Sequence, residues 1–165
     1  MSTLTTTPHG GDRPHQPPAA TGLAATAKVY ERWGWRVLRA GDRLLLAADA
    51  TVSTVQMPAH IAAEVQHYLT VRLLAGPVIA LPGAPCRWLL LTESAEKAAP
   101  VSRVRLRARG GLVHGRGTLV PLPPSRLASG PVSWRVAPSL NGPTLPPFTA
   151  VVAAARAVCT TAGLS

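Results

Sequence analysis

GGLVHGRGTLVPLPPS, from Gly110 to Ser125, is the stretch around which the other elements of the chain can be arranged. Glycines lie on both sides of His114, and glycine is the residue that a sharply turning backbone tolerates best. The apolar run from Thr118 to Leu122 predicts a strand, which ends at Pro123 and Pro124 because proline offers no N–H to a ladder. The pattern therefore predicts a turn, a short strand and an abrupt stop.

Hydrophobic periodicity and turn residues predict further elements on both sides of this stretch. Helices are predicted from Leu23 to Trp33, from Pro58 to near Gly76, and from Phe148 to Cys159. Further strands are predicted at Trp35 to Leu38, Arg43 to Ala48, Val52 to Gln56, Val78 to Leu81, Arg87 to Thr92, Val101 to Arg109 and Val132 to Val136. Together they predict an α+β fold, a mostly antiparallel sheet with two or three helices against it.

The composition predicts one folded domain with a polar tail at each end. A chain of 165 residues is long enough for one domain with a real core. Residues 1–22 are rich in Thr, Pro and Gly and are predicted to be a disordered tail, residues 23–159 the domain, and residues 160–165 a flexible C-terminus. The apolar runs are too short for a membrane span, and two cysteines without a secretory signal favour a reducing cytoplasm.

The order of elements in the C-terminal third resembles a known family. A Gly-rich turn, a strand, a Pro-Pro-Ser stop, a Ser-Gly turn, a strand with Trp134 and a Pro-rich lead into a last helix occur here as GGLVHGRG, TLVPL, PPS, LASG, VSWRV and LPPF. This order resembles the N-terminal domain of bifunctional DNA primase/polymerases (prim-pol), a primase-like fold of actinobacterial plasmids and phages. A helix followed by GWRVL, from Gly34 to Leu38, is similar to the start of that domain.

The resemblance implies a polymerase site, but the acidic residues of that site are missing. The family places an Asp-x-Asp pair after an early strand, a His on a middle strand and a third acid near the Gly-rich turn. The corresponding segments here are TVSTVQMP, PCRWLLLT with Trp88 in place of the His, and GGLVHGRG with Val113 and His114 in place of the acid. Because divalent metals in such a site need paired carboxylates, we expect no catalytic residues and no cofactor.

Other sites for chemistry find little support in the sequence. Asp49, which follows a strand, is the best single carboxylate, and His60, Glu64 and His67 share one helix face that is suited either to zinc or to solvent. Ser125 lacks a nucleophile elbow, and neither Cys86 nor Cys159 has a His or an acid near it in the sequence. We therefore expect no metal site and no enzyme.

An alternating series of arginines is the sharpest basic feature. In VSRVRLRAR a strand would place Arg103, Arg105, Arg107 and Arg109 on one face, about 6.6 Å apart, which is close to the phosphate spacing of an extended single strand. Three further arginines would extend this nucleic-acid surface, namely Arg116, Arg126 and Arg135. Trp134 or Trp88 would offer a base-stacking platform, although burial in the core is the commoner fate of tryptophan.

The charge is unevenly distributed along the chain. Residues 1–96 carry 8 basic and 7 acidic side chains, whereas residues 97–165 carry 9 basic side chains and no acidic one. This asymmetry favours a polyanionic partner, with DNA first, and an inactive prim-pol-like domain that binds nucleic acid or serves as a replication scaffold. The alternative is a structural or protein-interaction module whose positive charge is incidental; the protein partner and oligomeric state are left open.

Overall fold

The computed structural model describes residues 19–162, and the side chains of residues 22–158. Its elements are α1 (Ala19–Arg32), β1 (Val37–Ala40), β2 (Arg43–Ala47), β3 (Val52–Pro58), α2 (Ala59–Val71), β4 (Val78–Leu81), β5 (Arg87–Glu93), α3 (Pro100–Arg107), β6 (Leu112–His114), β7 (Leu119–Leu122), β8 (Arg126–Leu127), β9 (Gly130–Pro131), β10 (Ser133–Val136) and α4 (Phe148–Ala162). The α+β fold predicted from the sequence is confirmed.

The strands form two sheets and a small hairpin, and all their pairings are antiparallel. The five-stranded sheet has the order β10-β4-β5-β3-β6, and the three-stranded sheet has the order β1-β2-β7. Among residues 19–162, strands β8 and β9 pair only with each other, across the predicted Ser-Gly turn. The five-stranded sheet therefore ends at β6 on one side and at β10 on the other.

Two hydrophobic cores lie on opposite faces of the five-stranded sheet. Successive side chains of a strand point to opposite faces, and β5 follows this rule over its central residues. Leu90 faces α2, α3 and α4, whereas Leu89 and Leu91 face the three-stranded sheet and α1. All three leucines are buried, and each such side chain stabilises the fold by about 1.5–3 kcal/mol.

The stretch from Gly110 to Ser125 connects the two sheets. After β6 the chain turns through Gly117, which has a φ of +84°, and its backbone exchanges hydrogen bonds with Ala48 before β7 begins. The buried Ser125 hydroxyl then accepts from the Leu44 N–H at 2.8 Å and donates to the Leu44 carbonyl at 3.0 Å. The Pro-Pro-Ser stop thus fastens the end of β7 to the neighbouring strand β2.

One element differs in type from its prediction. The segment from Val101 to Arg109 is not a strand, because residues 100–107 form α3. Pro100 stands at the start of the helix, where its missing N–H is not needed. Val104 is 66% exposed and Leu106 is buried, so the apolar residues of the alternating pattern do not share a face.

The Gly pair at the start of the central stretch ends α3. Gly110 has a φ of +73°, its N–H donates to the Arg107 carbonyl at 3.0 Å, and the Gly111 N–H donates to the Leu106 carbonyl at 2.9 Å. These two bonds form a Schellman motif, in which the left-handed residue is usually glycine. A Cβ on Gly111 would also lie 2.9 Å from the Leu106 carbonyl oxygen, so both glycines are required.

Two predicted boundaries also shift. Helix α1 begins at Ala19 rather than Leu23, so residues 19–22 of the predicted tail are helical, and α4 continues to Ala162. The rest of the predicted tail, residues 1–18, and the last three residues of the predicted C-terminus lie outside the described part of the chain.

Candidate nucleic-acid interface

The helical conformation of α3 and of the turn that follows it divides the four arginines into two pairs. With 3.6 residues per turn, side chains four residues apart lie on one side of a helix, and those two apart lie on nearly opposite sides. Arg103 and Arg107 therefore form one pair, and Arg105 and Arg109 form the other. The row of four arginines on one strand face was a wrong prediction, because it depended on a period of two.

The first pair lies beside the edge of the five-stranded sheet. Arg103 and Arg107 line a groove together with residues of β6 and the turn before it. Nη2 of Arg103 donates to the Ala95 carbonyl at 3.2 Å, and its guanidinium lies close to Gly115. Arg103 and Arg107 therefore lie beside the outer edge of β6.

The second pair lies at the end of α3, where a third arginine, Arg87, also binds a backbone carbonyl. Nη1 of Arg109 lies 3.4 Å from the Arg105 carbonyl, and Nη2 of Arg87 donates to the Gly110 carbonyl at 2.9 Å. Cations are favourable at a helix C-terminus, where the carbonyl groups lack partners within the helix. Arg87 was not among the predicted site residues, because it lies 23 residues from Gly110 in the chain and meets it only in the folded structure.

The other three predicted arginines lie elsewhere. Arg116 is ion-paired with Glu96, and hydrogen bonding in this pair lowers the pKa of Glu96 and raises that of Arg116. Arg126 lies on the β8–β9 hairpin, and Arg135 on β10. Strand β10 is the edge opposite β6, roughly 19 Å away across four strand spacings. The seven arginines therefore do not form one continuous surface.

The two candidate tryptophans both have neighbours within the fold. Nε1 of the half-buried Trp134 donates to the Tyr30 hydroxyl at 3.2 Å, within an aromatic cluster that also contains Trp33 and Trp35. Burial raises the pKa of Tyr30 to about 12. The Trp88 ring lies 5.2 Å from the Arg135 guanidinium, which covers one of its faces.

The three segments expected to hold the acids and the His of a polymerase site are neighbouring strands. They are β3, β5 and β6, which lie in the order β5-β3-β6. Thr54 on β3 is opposite Leu91 on one side and His114 on the other, and Gln56 lies two residues further along the same face. At these paired positions, this side of the sheet therefore carries hydroxyl, amide, imidazole and apolar side chains.

The polar groups on this face form one direct contact. Nε2 of His114 lies 2.8 Å from Oε1 of Gln56, which accepts when Nε2 carries the proton. Burial lowers the pKa of His114, so the neutral imidazole is favoured. Oγ1 of Thr54 is buried and has no hydrogen-bond partner.

Asp49, the best single carboxylate in the sequence, shapes a turn. Its Oδ1 accepts from the Thr51 N–H and hydroxyl, both at 2.7 Å, and from the Val52 N–H at 3.2 Å. Partial burial acts to raise the pKa of Asp49, but these hydrogen bonds and the positive charge of Arg36 outweigh it and lower the pKa. The Asp49 carboxylate therefore accepts backbone hydrogen bonds in the turn that leads into β3.

The alternative zinc ligands do not come together as a site. His60, Glu64 and His67 are exposed on α2, and no group of three His, Cys, Asp or Glu side chains in the described part of the chain is placed to hold a metal ion. Cys86 is an exposed free cysteine. Ser125 is buried, and its hydroxyl forms two hydrogen bonds with the Leu44 backbone.

Among residues 19–162, no helix is both long and apolar enough to cross a bilayer.

No family model matches the sequence, and no curated protein or solved structure is detectably similar to it.

Proposed function

We propose that this protein is a catalytically inactive domain of the prim-pol type that binds nucleic acid through arginines at the end of α3. The observation that carries the binding proposal is the set of three arginines around that helix end, Arg87, Arg105 and Arg109. We call them the helix-end arginines. Within the described part of the chain none of them is ion-paired with a carboxylate.

Positive charges around one helix end repel one another unless a polyanion or salt screens them. Each guanidinium has five N–H donors, and the hydrogen bonds described here use one from Arg87 and one from Arg109. Nε of Arg109 is buried and has no hydrogen-bond partner, so it cannot reach a phosphate. The remaining Nη donors stay available for phosphate oxygens, to which arginine binds with two parallel hydrogen bonds. Because the chain has no acidic residue after Glu96, residues 97–165 contribute no acidic side chain that would repel a phosphate backbone.

The neutral face of β5, β3 and β6 supports the inactive assignment. Polymerisation needs carboxylates that hold two divalent cations at the reacting oxygens. The corresponding segments place Thr54, Gln56 and His114 on this face instead. Side chains of these types give no charge that would compensate for two divalent ions.

The binding proposal predicts a strong salt dependence for a labelled single-stranded oligonucleotide. Three phosphate contacts give a slope of about −2.1 in log K against log salt, since each contributes about −0.7. The double variant Arg105→Gln with Arg109→Gln should reduce the magnitude of this slope by about 1.4. Affinity should fall by a similar factor for every sequence, because phosphates carry no sequence information. Fluorescence anisotropy over a salt series measures both quantities.

A matched control removes the same charge from another surface. Arg39 and Arg43 are exposed on the β1–β2 hairpin, and the variant Arg39→Gln with Arg43→Gln should leave the slope nearly unchanged. Equal losses in the two double variants would mean that the positive charge is incidental and would favour the protein-interaction alternative. Template-directed incorporation of labelled nucleotide by the parent protein would contradict the inactive assignment.

A further inference from the structure

The edge of the five-stranded sheet at β6 is open on its outer side. Within the described residues β6 pairs only with β3, so one row of its backbone groups points away from the sheet. Beside it lies a groove of about 450 Å³ between α3 and this edge. The groove is lined by Arg103, Val104, Arg107, Gly111, Leu112 and Val113.

The groove combines two kinds of recognition chemistry with the open backbone. Val104 is 66% exposed and Leu112 is 41% exposed, so each offers apolar surface. Arg103 donates from Nη2 to the Ala95 carbonyl, and its charge contributes to the lowered pKa of Glu96. A guanidinium has further donors, and within the described chain neither Arg103 nor Arg107 forms a salt bridge. A ligand that pairs with the open backbone of β6, with the arginines and with the apolar side chains needs backbone hydrogen-bonding groups, carboxylates and apolar side chains.

We propose that the α3–β6 groove binds an extended acidic peptide, which adds to the five-stranded sheet as a strand next to β6. The Cα atoms of Arg103 and Arg107 lie about 6 Å apart along the helix, because four residues rise about 1.5 Å each. Alternate side chains of a strand are about 6.6 Å apart, so carboxylates at every second peptide position match the two arginines. The peptide backbone then pairs with β6, as in other cases of strand addition to an open sheet edge.

Charge and backbone chemistry favour this occupant over two others. A second copy of the chain that paired through β6 would bring two sets of Arg103 and Arg107 together, and like charges at such short range repel. A single-stranded nucleic acid would contact the arginines with its phosphates, but it has no peptide backbone whose amide groups repeat at the spacing of the edge of β6. This proposal uses the arginine pair opposite to Arg105 and Arg109, so the two binding activities are separable.

The first experiment measures the affinity of a short fluorescent peptide with alternating Glu and Val. We expect binding to the parent protein and no detectable binding of the same peptide with Lys in place of Glu. The variant Arg103→Gln with Arg107→Gln should weaken binding at least tenfold, or about 1.4 kcal/mol. The variant Arg105→Gln with Arg109→Gln is the matched control and should retain binding, while its oligonucleotide affinity reports separately on the nucleic-acid proposal.

The second experiment tests strand addition without changing the protein. Two versions of the acidic peptide carry N-methyl groups on either the odd or the even residues, so that each lacks donors along one of its edges. We expect one version to lose binding and the other to keep it, because only one edge faces β6. Unchanged binding of both versions would overturn strand addition. Oligonucleotide binding that depends on Arg103 and Arg107, with no binding of the acidic peptide, would assign the groove to nucleic acid and overturn the proposal.

Discussion

Two buried threonines on neighbouring strands differ in whether their hydroxyl groups have hydrogen-bond partners. Thr54 on β3 and Thr92 on β5 are both fully buried. Oγ1 of Thr92 donates to the Glu93 carbonyl at 2.8 Å and lies 3.4 Å from the Ser53 carbonyl, whereas Oγ1 of Thr54 has no partner. A buried hydroxyl without a partner costs free energy, because it has lost its hydrogen bonds to water.

This difference predicts opposite effects for the same substitution at the two sites. Thr54→Val keeps the side-chain shape and removes an unpaired hydroxyl, so the free energy of unfolding should stay the same or rise by about 1 kcal/mol. Thr92→Val should lower it by about 1 kcal/mol, because a satisfied hydrogen bond is lost. Urea unfolding of both variants checks this. A loss at Thr54 as large as that at Thr92 would show that its hydroxyl is bonded in solution.

At the scale of the element, α3 contains two local signals that disagree. The alternation of arginine with Val104, Leu106 and Ala108 has the period of a strand, but Pro100 and Gly110 stand at positions typical of a helix start and a helix end. The helix also packs against α4 and β6, and it buries Leu106. The signals at the ends agree with the packing, so the helix forms.

Val104 provides a test of the conformation of α3 by the sign of one substitution. At an exposed helix position alanine is more favourable than valine by about 0.5 kcal/mol, so Val104→Ala should raise the free energy of unfolding by that amount. Val136 is an exposed valine of β10 and the matched control; Val136→Ala should lower the stability, because alanine is disfavoured in strands. Denaturant unfolding measures both. Destabilisation by Val104→Ala would instead indicate an extended segment.

At the scale of the whole molecule, the five-stranded sheet joins the two hydrophobic cores. Leu89 and Leu90 are adjacent on β5 but belong to different cores, since their side chains point to opposite faces. A structure that shares one sheet between two cores should unfold in a single cooperative transition. The division into two sheets therefore does not imply two independently stable parts.

Because the two cores share one sheet, we expect a substitution that weakens either core to destabilise the whole fold. Leu89→Ala and Leu90→Ala should each lower the free energy of unfolding by about 2–5 kcal/mol, because each leaves a cavity in a packed core. Far-UV circular dichroism, which follows the helices, and tryptophan fluorescence should give coincident unfolding curves for both variants. Leu140→Ala, at a side chain that is 98% exposed, should change neither curve. Separate transitions for the two probes would contradict the coupling.

For the candidate site, the sequence alone predicts the excess of positive charge but not where the charged residues lie in the fold. The excess of arginine after Glu96 and the lack of paired carboxylates in the segments with Thr54 and His114 follow from residue identity alone. The position of Arg87 beside Gly110, and of Arg135 on the edge opposite β6, depends on which strands pair. Strand pairing joins residues that are far apart in the chain, and no local pattern records it.

For the fold, the sequence by itself determined most elements, because period and turn chemistry are local. Apolar runs bounded by Gly and Pro predicted β3, β4 and β5, and apolar residues at helical spacing predicted α2. Only the tertiary structure decided the type of α3. Its alternating pattern fits a strand with three apolar residues on one face or a helix with one buried leucine, and the space between α4 and β6 accepts the helix with Leu106 inside.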